Sequence, residues 1–254
     1  LASLKITTPS GVYRDSLYVE VGDACEKDSL PGYALYLDGN GGYAQAPSLD
    51  RKTNAITMMA WVKSTAAQDD WAGILFTRGG GQAAGLSVLS NGDIRYHWNS
   101  GGYNWNSGAN LEQNEWTHLA MVAEPGGITI YKNGRPYRHA ITTNEHSFVS
   151  PLAIGADLNG GDRFFKGIID EVCIYDRSLS QTEIRESMHL AKTHSGIPGL
   201  DRYYQFNESS GHVMDRQGIS HATLNANAQR ILSTAPAGPG ASQQWVINAA
   251  ASYD

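Results

Sequence analysis

At 254 residues, the chain is long enough for one large β-sandwich or for two small domains with separate cores. Its 28 glycines and 13 tyrosines, with only 17% charged residues, favour short strands joined by tight turns and argue against long helices. The net charge of −6 and the lack of a Lys/Arg cluster argue against nucleic acid or an anionic membrane surface as the partner. No apolar run approaches the roughly 20 residues that a membrane-spanning helix needs, which predicts no membrane insertion.

The two cysteines, Cys25 and Cys173, are far apart in the sequence and do not have the spacing of metal ligands. Two alternatives remain, a long-range disulfide and a pair of buried thiols. We favour the disulfide, which would tie the N-terminal segment to a core strand by restricting the unfolded chain.

Between residues 33 and 176, short apolar runs alternate with Gly, Asn, Asp or Pro, a pattern typical of a β-sandwich. Residues 116–123 are apolar at nearly every position, which predicts a central strand covered on both faces. Asn133-Gly134 and Asn91-Gly92 predict two-residue hairpin turns, because these dipeptides accept positive φ values. The candidate strands are 33–38, 56–63, 73–78, 85–90, 93–98, 115–124, 127–132, 152–155 and 163–176.

One helix is predicted after these strands. Ser180 and Glu183 have the spacing of a capping box, and Ile184 and Met188 begin an apolar stripe. This pattern predicts a short amphipathic helix near 180–191 that caps one end of the sandwich.

Four segments follow one another in the order found in one known family. They are 34–43 (ALYLDGNGGY), 56–63 (ITMMAWVK), 116–122 (WTHLAMV) and 165–184 (FKGIIDEVCIYDRSLSQTEI), of which the last is the most specific. In this order they resemble the laminin G-like jelly-roll family, within the concanavalin A-like lectin and glucanase superfamily. The resemblance covers about residues 33–190 and implies an all-β fold, an antiparallel jelly-roll β-sandwich with one short capping helix.

One family motif lies at the unexpected end of the chain. Members of the family usually begin with a strand of the type Tyr-Tyr-x-Phe-Asp/Asn-Glu-x-Ser-Gly, and here that pattern is 203–211 (YYQFNESSG), after the helix. Either the strand at 200–206 folds back to close its own sandwich, or it is the first strand of a following module. We favour folding back, because an unpaired edge would leave ladder hydrogen bonds open, although residues 16–21 are a rival occupant of that edge.

These observations divide the chain into three parts. We predict an N-terminal extension over 1–32, a laminin G-like β-sandwich over 33–232, and a linker-like C-terminal tail over 233–254 that is rich in Pro, Gly and Ala at its start.

The sequence does not predict a catalytic site. Glycosidases of this superfamily need two carboxylates that flank one bond, and Asp170 and Glu171 are neighbours that an extended strand points to opposite faces. Asp69 and Asp70 are typical of a solvated turn. Serine and cysteine nucleophile motifs are absent, and the eight histidines do not have metal-ligand spacing. We therefore predict that the chain is not an enzyme.

A structural calcium ion is the one cofactor that the sequence suggests. The loop from Asp38 through Asn40 is rich in Gly and in oxygen donors, which suit a hard cation. The resemblance adds Asp170 as the best side-chain ligand, and Asn207 as a weaker candidate if its strand folds back. The alternative is that Asp170 caps backbone amides and that Asp38 belongs to an ordinary turn.

Aromatic and amide side chains alternate in one loop region. Tyr103, Asn104 and Trp105 combine flat faces that can stack on sugars with an amide that can bind hydroxyls, and Trp71 is a second candidate for ligand contact. The alternative is that these aromatic residues pack against the fold, as we expect for Trp61 and Trp116.

The most consistent hypothesis is a non-catalytic binding or adhesion module of a secreted or cell-surface protein, with a lectin-like preference for carbohydrate. Its partner would be a glycan or a protein ligand rather than nucleic acid or a membrane. The alternative is a structural or assembly module whose terminal strands complete neighbouring modules of the same polypeptide or assembly.

Overall fold

The computed structural model describes residues 32–99, 101–159, 161, 163–189, 197–218 and 220–237, together with the backbone of 4–8 and 11–15. The strands in chain order are β1 (Leu4–Thr8), β2 (Gly11–Asp15), β3 (Tyr33–Asp38), β4 (Tyr43–Ala46), β5 (Lys52–Thr53), β6 (Ile56–Ser64), β7 (Ala72–Gly79), β8 (Gln82–Val88), β9 (Ile94–Trp98), β10 (Trp116–Glu124), β11 (Gly127–Lys132), β12 (Arg135–His139), β13 (His146–Ser147), β14 (Leu152–Ile154), β15 (Lys166–Tyr175), β16 (Leu200–Tyr204), β17 (Thr223–Asn225) and β18 (Gln229–Leu232). The helix α1 (Gln181–Ser187) lies between β15 and β16.

Two antiparallel sheets pack face to face. The first sheet has the order β12-β11-β10-β6-β15-β3-β18, with β16 also paired to β15, and the second has the order β17-β4-β14-β7-β8-β9. Short ladders join β1 to β2 and β5 to β13. This architecture confirms the predicted fold class, an antiparallel jelly-roll β-sandwich with one short helix.

The core lies between the inward faces of the two sheets. Alternate residues of β6 point into it, beginning with Ile56 and Met58, and they meet inward residues of the second sheet such as Leu86 and Tyr96. The predicted central strand is confirmed, because β10 lies between β6 and β11 and is buried from Thr117 through Ala123.

The outward face of the first sheet is also covered. Ile184 of α1 packs in one cluster with Met59 and Cys173. The segment 233–237, which is the start of the predicted tail, packs over Trp61 through Ala235 and Ala237. The strand β6 is therefore buried on both sides, by the core on one side and by α1 and residues 233–237 on the other.

A β-bulge divides β15 into two halves. The first half, through Ile169, pairs with β3, and the second half, from Val172, pairs with β16 on the same edge. The register with β6 shifts between Asp170 and Cys173, and Glu171 has a φ of 52°. The strand at 200–206 that we expected to fold back is β16, and it pairs within its own chain.

The segment after β16 supplies a strand to each sheet. β17 pairs with β4 at the edge of the second sheet, and β18 pairs with β3 at the edge of the first. Asn207 joins the segment to the start of β3, because its Oδ1 accepts a hydrogen bond from the Tyr33 backbone N–H at 2.8 Å.

The two predicted hairpin turns have different outcomes. Asn133 and Gly134 have φ values of 50° and 75°, which confirms a two-residue turn with positive φ at both positions. The two-residue turn at Asn91-Gly92 is wrong, because only Gly92 has a positive φ. The Leu89 N–H donates to the Asp93 carbonyl at 3.0 Å, which leaves residues 90–92 as the loop, and the Asn91 side chain accepts a hydrogen bond from the Asp93 N–H at 3.0 Å.

The capping box of α1 is present as predicted. Ser180 Oγ accepts a hydrogen bond from the Glu183 N–H, and the Glu183 carboxylate accepts one from the Ser180 N–H. These bonds, together with the ion pair to Arg177, lower the pKa of Glu183 to about 2.

We predict that Ser180→Ala lowers the free energy of unfolding by about 1 kcal/mol, because the cap no longer satisfies an N–H of the first turn. Urea unfolding followed by fluorescence measures this change. The exposed Ser209→Ala is the control and should change stability by less than about 0.5 kcal/mol. Equal stability of both variants would show that the cap does not hold the helix.

Candidate functional site

The outward face of the second sheet carries the candidate site. Strand alternation turns Leu75, Leu86 and Tyr96 into the core, so that neighbouring positions such as Phe76 and His97 point outward. The five strands from β4 to β9 span about 19 Å across this face. The face therefore presents a surface wide enough for an extended ligand.

Four side chains form an aromatic cluster on this face: Trp71, Phe76, His97 and Tyr103. The ring centroid of His97 lies 5.2 Å from Phe76, 5.3 Å from Tyr103 and 5.5 Å from Trp71. Tyr103 stacks on His97 with an interplanar angle of 16°, and its ring lies 6.2 Å from that of Trp71. Tyr103 is 37% exposed, so the cluster has an open edge.

Two features of the backbone shape this cluster, one at Trp71 and one at Gly85. Trp71 has a φ of 68°, which is unusual for a large side chain and occurs where the surrounding structure fixes the conformation. Gly85 lies between Phe76 and His97 in the ladder, and a Cβ there would be 2.1 Å from the Leu75 carbonyl oxygen and 2.7 Å from the Phe76 Cα. The aromatic rings can therefore approach because position 85 has no side chain.

Three charged side chains form an ion cluster beside the aromatic one: Arg78, Asp157 and Arg163. The Asp157 carboxylate is fully buried and accepts bonds from Arg78 Nε at 2.5 Å, Arg78 Nη2 at 2.8 Å and Arg163 Nη1 at 2.8 Å. The Arg78 guanidinium also lies over the Phe76 ring, 5.3 Å from its centroid. Together the two clusters make a continuous surface, which we call the binding strip.

A small, shallow depression of about 60 Å³, open to solvent, adjoins the binding strip at Arg78. Phe76 and Ala153 line its floor, and Gln45, Pro151 and the 43% exposed Leu158 complete its lining. The depression therefore combines apolar side chains with a guanidinium and an amide.

The structure separates the four predicted ligand-binding residues. Trp71 and Tyr103 both belong to the aromatic cluster, and Asn104 is exposed next to it. Trp105 instead stacks on His139 at 4.8 Å and contacts Tyr96, which belongs to the core. Trp105 thus packs against the fold, as the alternative interpretation expected.

Sequence reasoning missed most of the strip. Phe76, Arg78 and His97 lie at alternate outward positions of β7 and β9, so strand periodicity could have shown that they share a face. Asp157 and Arg163 lie in the loop between β14 and β15, where no local pattern indicates that they meet Arg78.

The predicted calcium ligands also separate. Asp38 and Asn40 lie at the end of β3, where Asp38 Oδ1 accepts the Asn40 N–H at 2.8 Å in a local turn. Asp170 and Asn207 lie near the start of β3, about 13 Å away along the strand. The four side chains therefore cannot share one ion, and only Asp170 and Asn207 belong to the same region.

Asp170 is a buried carboxyl in a polar environment. Its Oδ2 accepts a hydrogen bond from Ser233 Oγ, and its Oδ1 accepts the Glu171 N–H at 2.8 Å. Burial and the nearby Glu171 carboxylate raise the pKa of Asp170 well above its ordinary value. A cation bound beside Asp170 would offset this unfavourable charge, so the chemistry of this region fits a hard cation.

The expectation that Asp170 and Glu171 point to opposite faces is wrong. The bulge interrupts strand alternation, and Glu171 accepts a hydrogen bond from the hydroxyl of Tyr203, a residue of the outward cluster that includes Cys173. The predicted partner of Cys173, Cys25, lies outside the described residues, so the disulfide stays a prediction.

A family model, Laminin_G_3 of the concanavalin A-like lectin/glucanases superfamily, matches residues 38–185, which is more than half of the chain. The chain belongs to this family. The laminin G-like motifs noted in the sequence fall largely inside this range, whereas β16, β17 and β18 lie beyond it.

A relative of this laminin G-like chain is the adhesion G-protein coupled receptor V1 of Danio rerio. The two are 23% identical over 167 residues, and the match covers 60% of this chain but only 3% of the receptor. The chain therefore spans a small part of that relative.

Two solved structures are similar to the laminin G-like sandwich. A Bacteroides ovatus protein assigned to carbohydrate binding has a TM-score of 0.62 at 19% identity, with 82% of this chain and 61% of that chain covered. Domain 4 of AbnA, an extracellular arabinanase from Geobacillus stearothermophilus in complex with arabinotriose, has a TM-score of 0.51 at 19% identity, with 73% and 80% covered. At these identities, the likeness shows the fold alone.

The described residues contain no group of three or more His, Cys, Asp or Glu side chains that could hold a metal ion. Within the same part of the laminin G-like chain, no helix has the length and hydropathy to cross a membrane.

Burial controls the charge of His97 in the aromatic cluster. Desolvation lowers the pKa of His97 to about 4, and Asp157 opposes this shift while Arg78 and Arg163 add to it. Burial also lowers the pKa of His146 to about 4. Both imidazoles are therefore neutral in the folded chain at neutral pH.

We predict that His97 and His146 each lower the stability of the laminin G-like fold as the pH falls from about 6.5 to about 4, while the raised pKa of Asp170 acts in the opposite direction. In this range the unfolded chain binds protons at these histidines and the folded chain does not, so each histidine removes at most about 3 kcal/mol. Denaturant unfolding at several pH values measures the loss. It should be smaller in His97→Gln and in His146→Gln, and unchanged in the exposed Ser209→Ala, which removes no titratable group. Equal pH dependence in all variants would contradict this origin.

Proposed function

We propose that the chain is a non-catalytic, extracellular carbohydrate-binding module whose glycan lies on the binding strip. The observation that carries this proposal is the partly exposed pair of Trp71 and Tyr103, held around His97 and next to the ion cluster. Aromatic faces of this kind stack on the apolar faces of sugar rings, and guanidinium and amide groups bind sugar hydroxyls.

The strip is held in place before any ligand binds. Asp157 fixes both arginine side chains, and contacts with the buried His97 ring order the rings of Trp71, Phe76 and Tyr103. A surface whose side chains are already ordered loses little conformational entropy on binding, which favours affinity for a flexible oligosaccharide.

The comparisons support this class of function at a coarse level. The Bacteroides ovatus protein is assigned to carbohydrate binding, AbnA domain 4 was solved with arabinotriose, and the Danio rerio relative is an adhesion receptor. These similar proteins support an extracellular ligand that is either a glycan or a protein. Of the two, we favour the glycan, because the binding strip combines aromatic faces with guanidinium groups.

The alternative assembly function was based on the displaced strand at 200–206, which could have completed a neighbouring module. The displaced strand β16 pairs with β15, and β17 and β18 pair with β4 and β3 of the same chain. Each of these strands has a partner within its own chain, so we base no assembly function on them.

We predict that Trp71→Ala and Tyr103→Ala each weaken glycan binding about tenfold, because each removes one stacking face of the cluster. A glycan array identifies the bound class, and titration calorimetry measures the dissociation constant. Two controls should bind as the unmodified chain does. Tyr36→Ala removes a partly exposed aromatic ring from the outward face of the first sheet, and Trp105→Phe keeps the packing on His139.

A chain that binds no glycan on the array would contradict the carbohydrate-binding function. Binding that is unaffected by both Trp71→Ala and Tyr103→Ala would instead show that the glycan lies elsewhere on the sandwich.

We also propose that calcium binds beside Asp170 as a structural ion. The buried carboxylate, its unfavourable charge and the oxygen atoms of Ser233 and Asn207 near the start of β3 support this assignment. We expect millimolar calcium chloride to raise the melting temperature by several degrees relative to EDTA.

The shift should disappear in Asp170→Asn and should persist in Asp38→Asn, which is the matched change at the other end of β3. An unchanged melting temperature in calcium would contradict the site, and loss of the shift in Asp38→Asn would place the ion in the loop after β3.

A further inference from the structure

The ion cluster contains more positive than negative charge. Two guanidinium groups share the single carboxylate of Asp157, which is fully buried, so Arg78, Asp157 and Arg163 together carry one net positive charge. The other arginine on this face, Arg95, is neutralised by its own partner Asp93 at 2.7 Å. The excess positive charge therefore lies at Arg78 and Arg163.

Both arginines have N–H groups that do not bond to Asp157. Arg78 uses Nε and Nη2 on the carboxylate, and Arg163 uses Nη1, whereas each guanidinium has five N–H groups. With the Asn159 amide oriented so that its oxygen faces Arg163, Arg163 Nη1 and Nη2 also donate to that oxygen at 3.0 and 3.2 Å. The side chains of Arg78 and Arg163 are 23% and 21% exposed, so both guanidinium groups lie partly at the surface. Such fixed, partly desolvated guanidinium groups bind carboxylate and sulfate oxygens more strongly than neutral hydroxyls.

Two acidic side chains precede Trp71 at the other end of the strip. Asp69 pairs with Lys166 at 2.8 Å, whereas the Asp70 carboxylate accepts the Ser90 N–H at 2.9 Å and keeps its negative charge. The acidic group of a ligand is therefore expected at the Arg78 end, which adjoins the depression. The whole chain carries a net charge of −6, so the positive charge is a local feature of this surface.

The two clusters are also spaced for more than one sugar unit. From the Arg78 guanidinium to the Phe76 ring, then to His97 and on to Tyr103, the successive separations are 5.3, 5.2 and 5.3 Å. A ligand that reaches both the guanidinium groups and the exposed aromatic edge must therefore extend across several side chains.

We infer that the binding strip selects an acidic oligosaccharide. One sugar ring lies on Trp71 and Tyr103, and the carboxylate or sulfate group of another unit binds N–H groups of Arg78 and Arg163. This inference rests on the proposed carbohydrate-binding function and adds the chemical class of its ligand.

The experiment compares each acidic glycan with its neutral counterpart on the full chain. The probes are oligogalacturonate and carboxyl-reduced oligogalacturonate for the carboxylate, and chondroitin sulfate oligosaccharides before and after desulfation for the sulfate. We expect at least one acidic probe to bind about tenfold or more tightly than its neutral counterpart, and to weaken as salt is added.

Substitutions at Leu158 test the charge without disturbing the buried ion cluster. Leu158 is 43% exposed and lines the depression beside Arg78. Leu158→Glu should weaken binding of the acidic probe several-fold and Leu158→Lys should strengthen it, whereas Leu158→Gln should have little effect. Each of the three substitutions should change binding of the neutral counterpart less than Leu158→Glu changes binding of the acidic probe.

Substitution of the arginines tests the contact itself. Arg163→Gln leaves Asp157 its two bonds from Arg78, so we expect a folded chain that binds the acidic probe roughly tenfold more weakly. Arg138→Gln on β12 removes an equal charge from the first sheet and is the matched control.

The outcomes separate this inference from the function on which it rests. Trp71-dependent binding of neutral glycans, with no preference for the acidic probes, would overturn the inference and leave the carbohydrate-binding function intact. A lack of binding to all glycans would overturn both. A preference for acidic probes that is insensitive to Leu158→Glu and Arg163→Gln would also overturn the inference, because another part of the chain would then bind the anion.

Discussion

The bulge at Asp170 and Glu171 in β15 is the feature on which the arrangement of the sandwich depends. It divides one strand edge between two successive partners, so that β3 and β16 can both pair with β15. An unbroken β15 would offer that edge to one continuous strand. The bulge therefore lets the laminin G-like fold accept an opening strand from the far side of the helix in sequence. The bulge also brings the buried Asp170 carboxyl next to the Glu171 carboxylate, which is unfavourable. Ser233 donates a hydrogen bond to Asp170, and Tyr203 donates one to Glu171.

The sequence predicted those parts of the fold that depend on local patterns. The apolar run of β10, the Asn133-Gly134 turn and the capping box at Ser180 each need only neighbouring residues, and each is present. The strands β17 and β18 were not predicted, because they have three and four residues with little buried surface. Only pairing with β4 and β3 makes them strands, and that pairing is set by the whole sandwich.

The candidate site could be predicted only in part for a related reason. Trp71 and Tyr103 were candidates because their neighbours are polar, but Trp105, two residues after Tyr103, turns to the opposite side and packs on His139. Asp157 lies 79 residues from Arg78 in sequence, so their contact follows from the pairing of β7 with β14 and not from any motif. The same distance in sequence means that a substitution in the loop after β14 can alter a surface built mainly on β7 and β9.

Residues 233–237 pack on Trp61, on the side of the sandwich opposite to the binding strip. Ala237 lies on the outward face of the first sheet, while the binding strip lies on the outward face of the second, with the whole core between them. Ala237, the last described residue, therefore lies on the side of the sandwich that faces away from the proposed glycan. A polypeptide that continues from this point can anchor the module from behind while the binding strip faces the ligand.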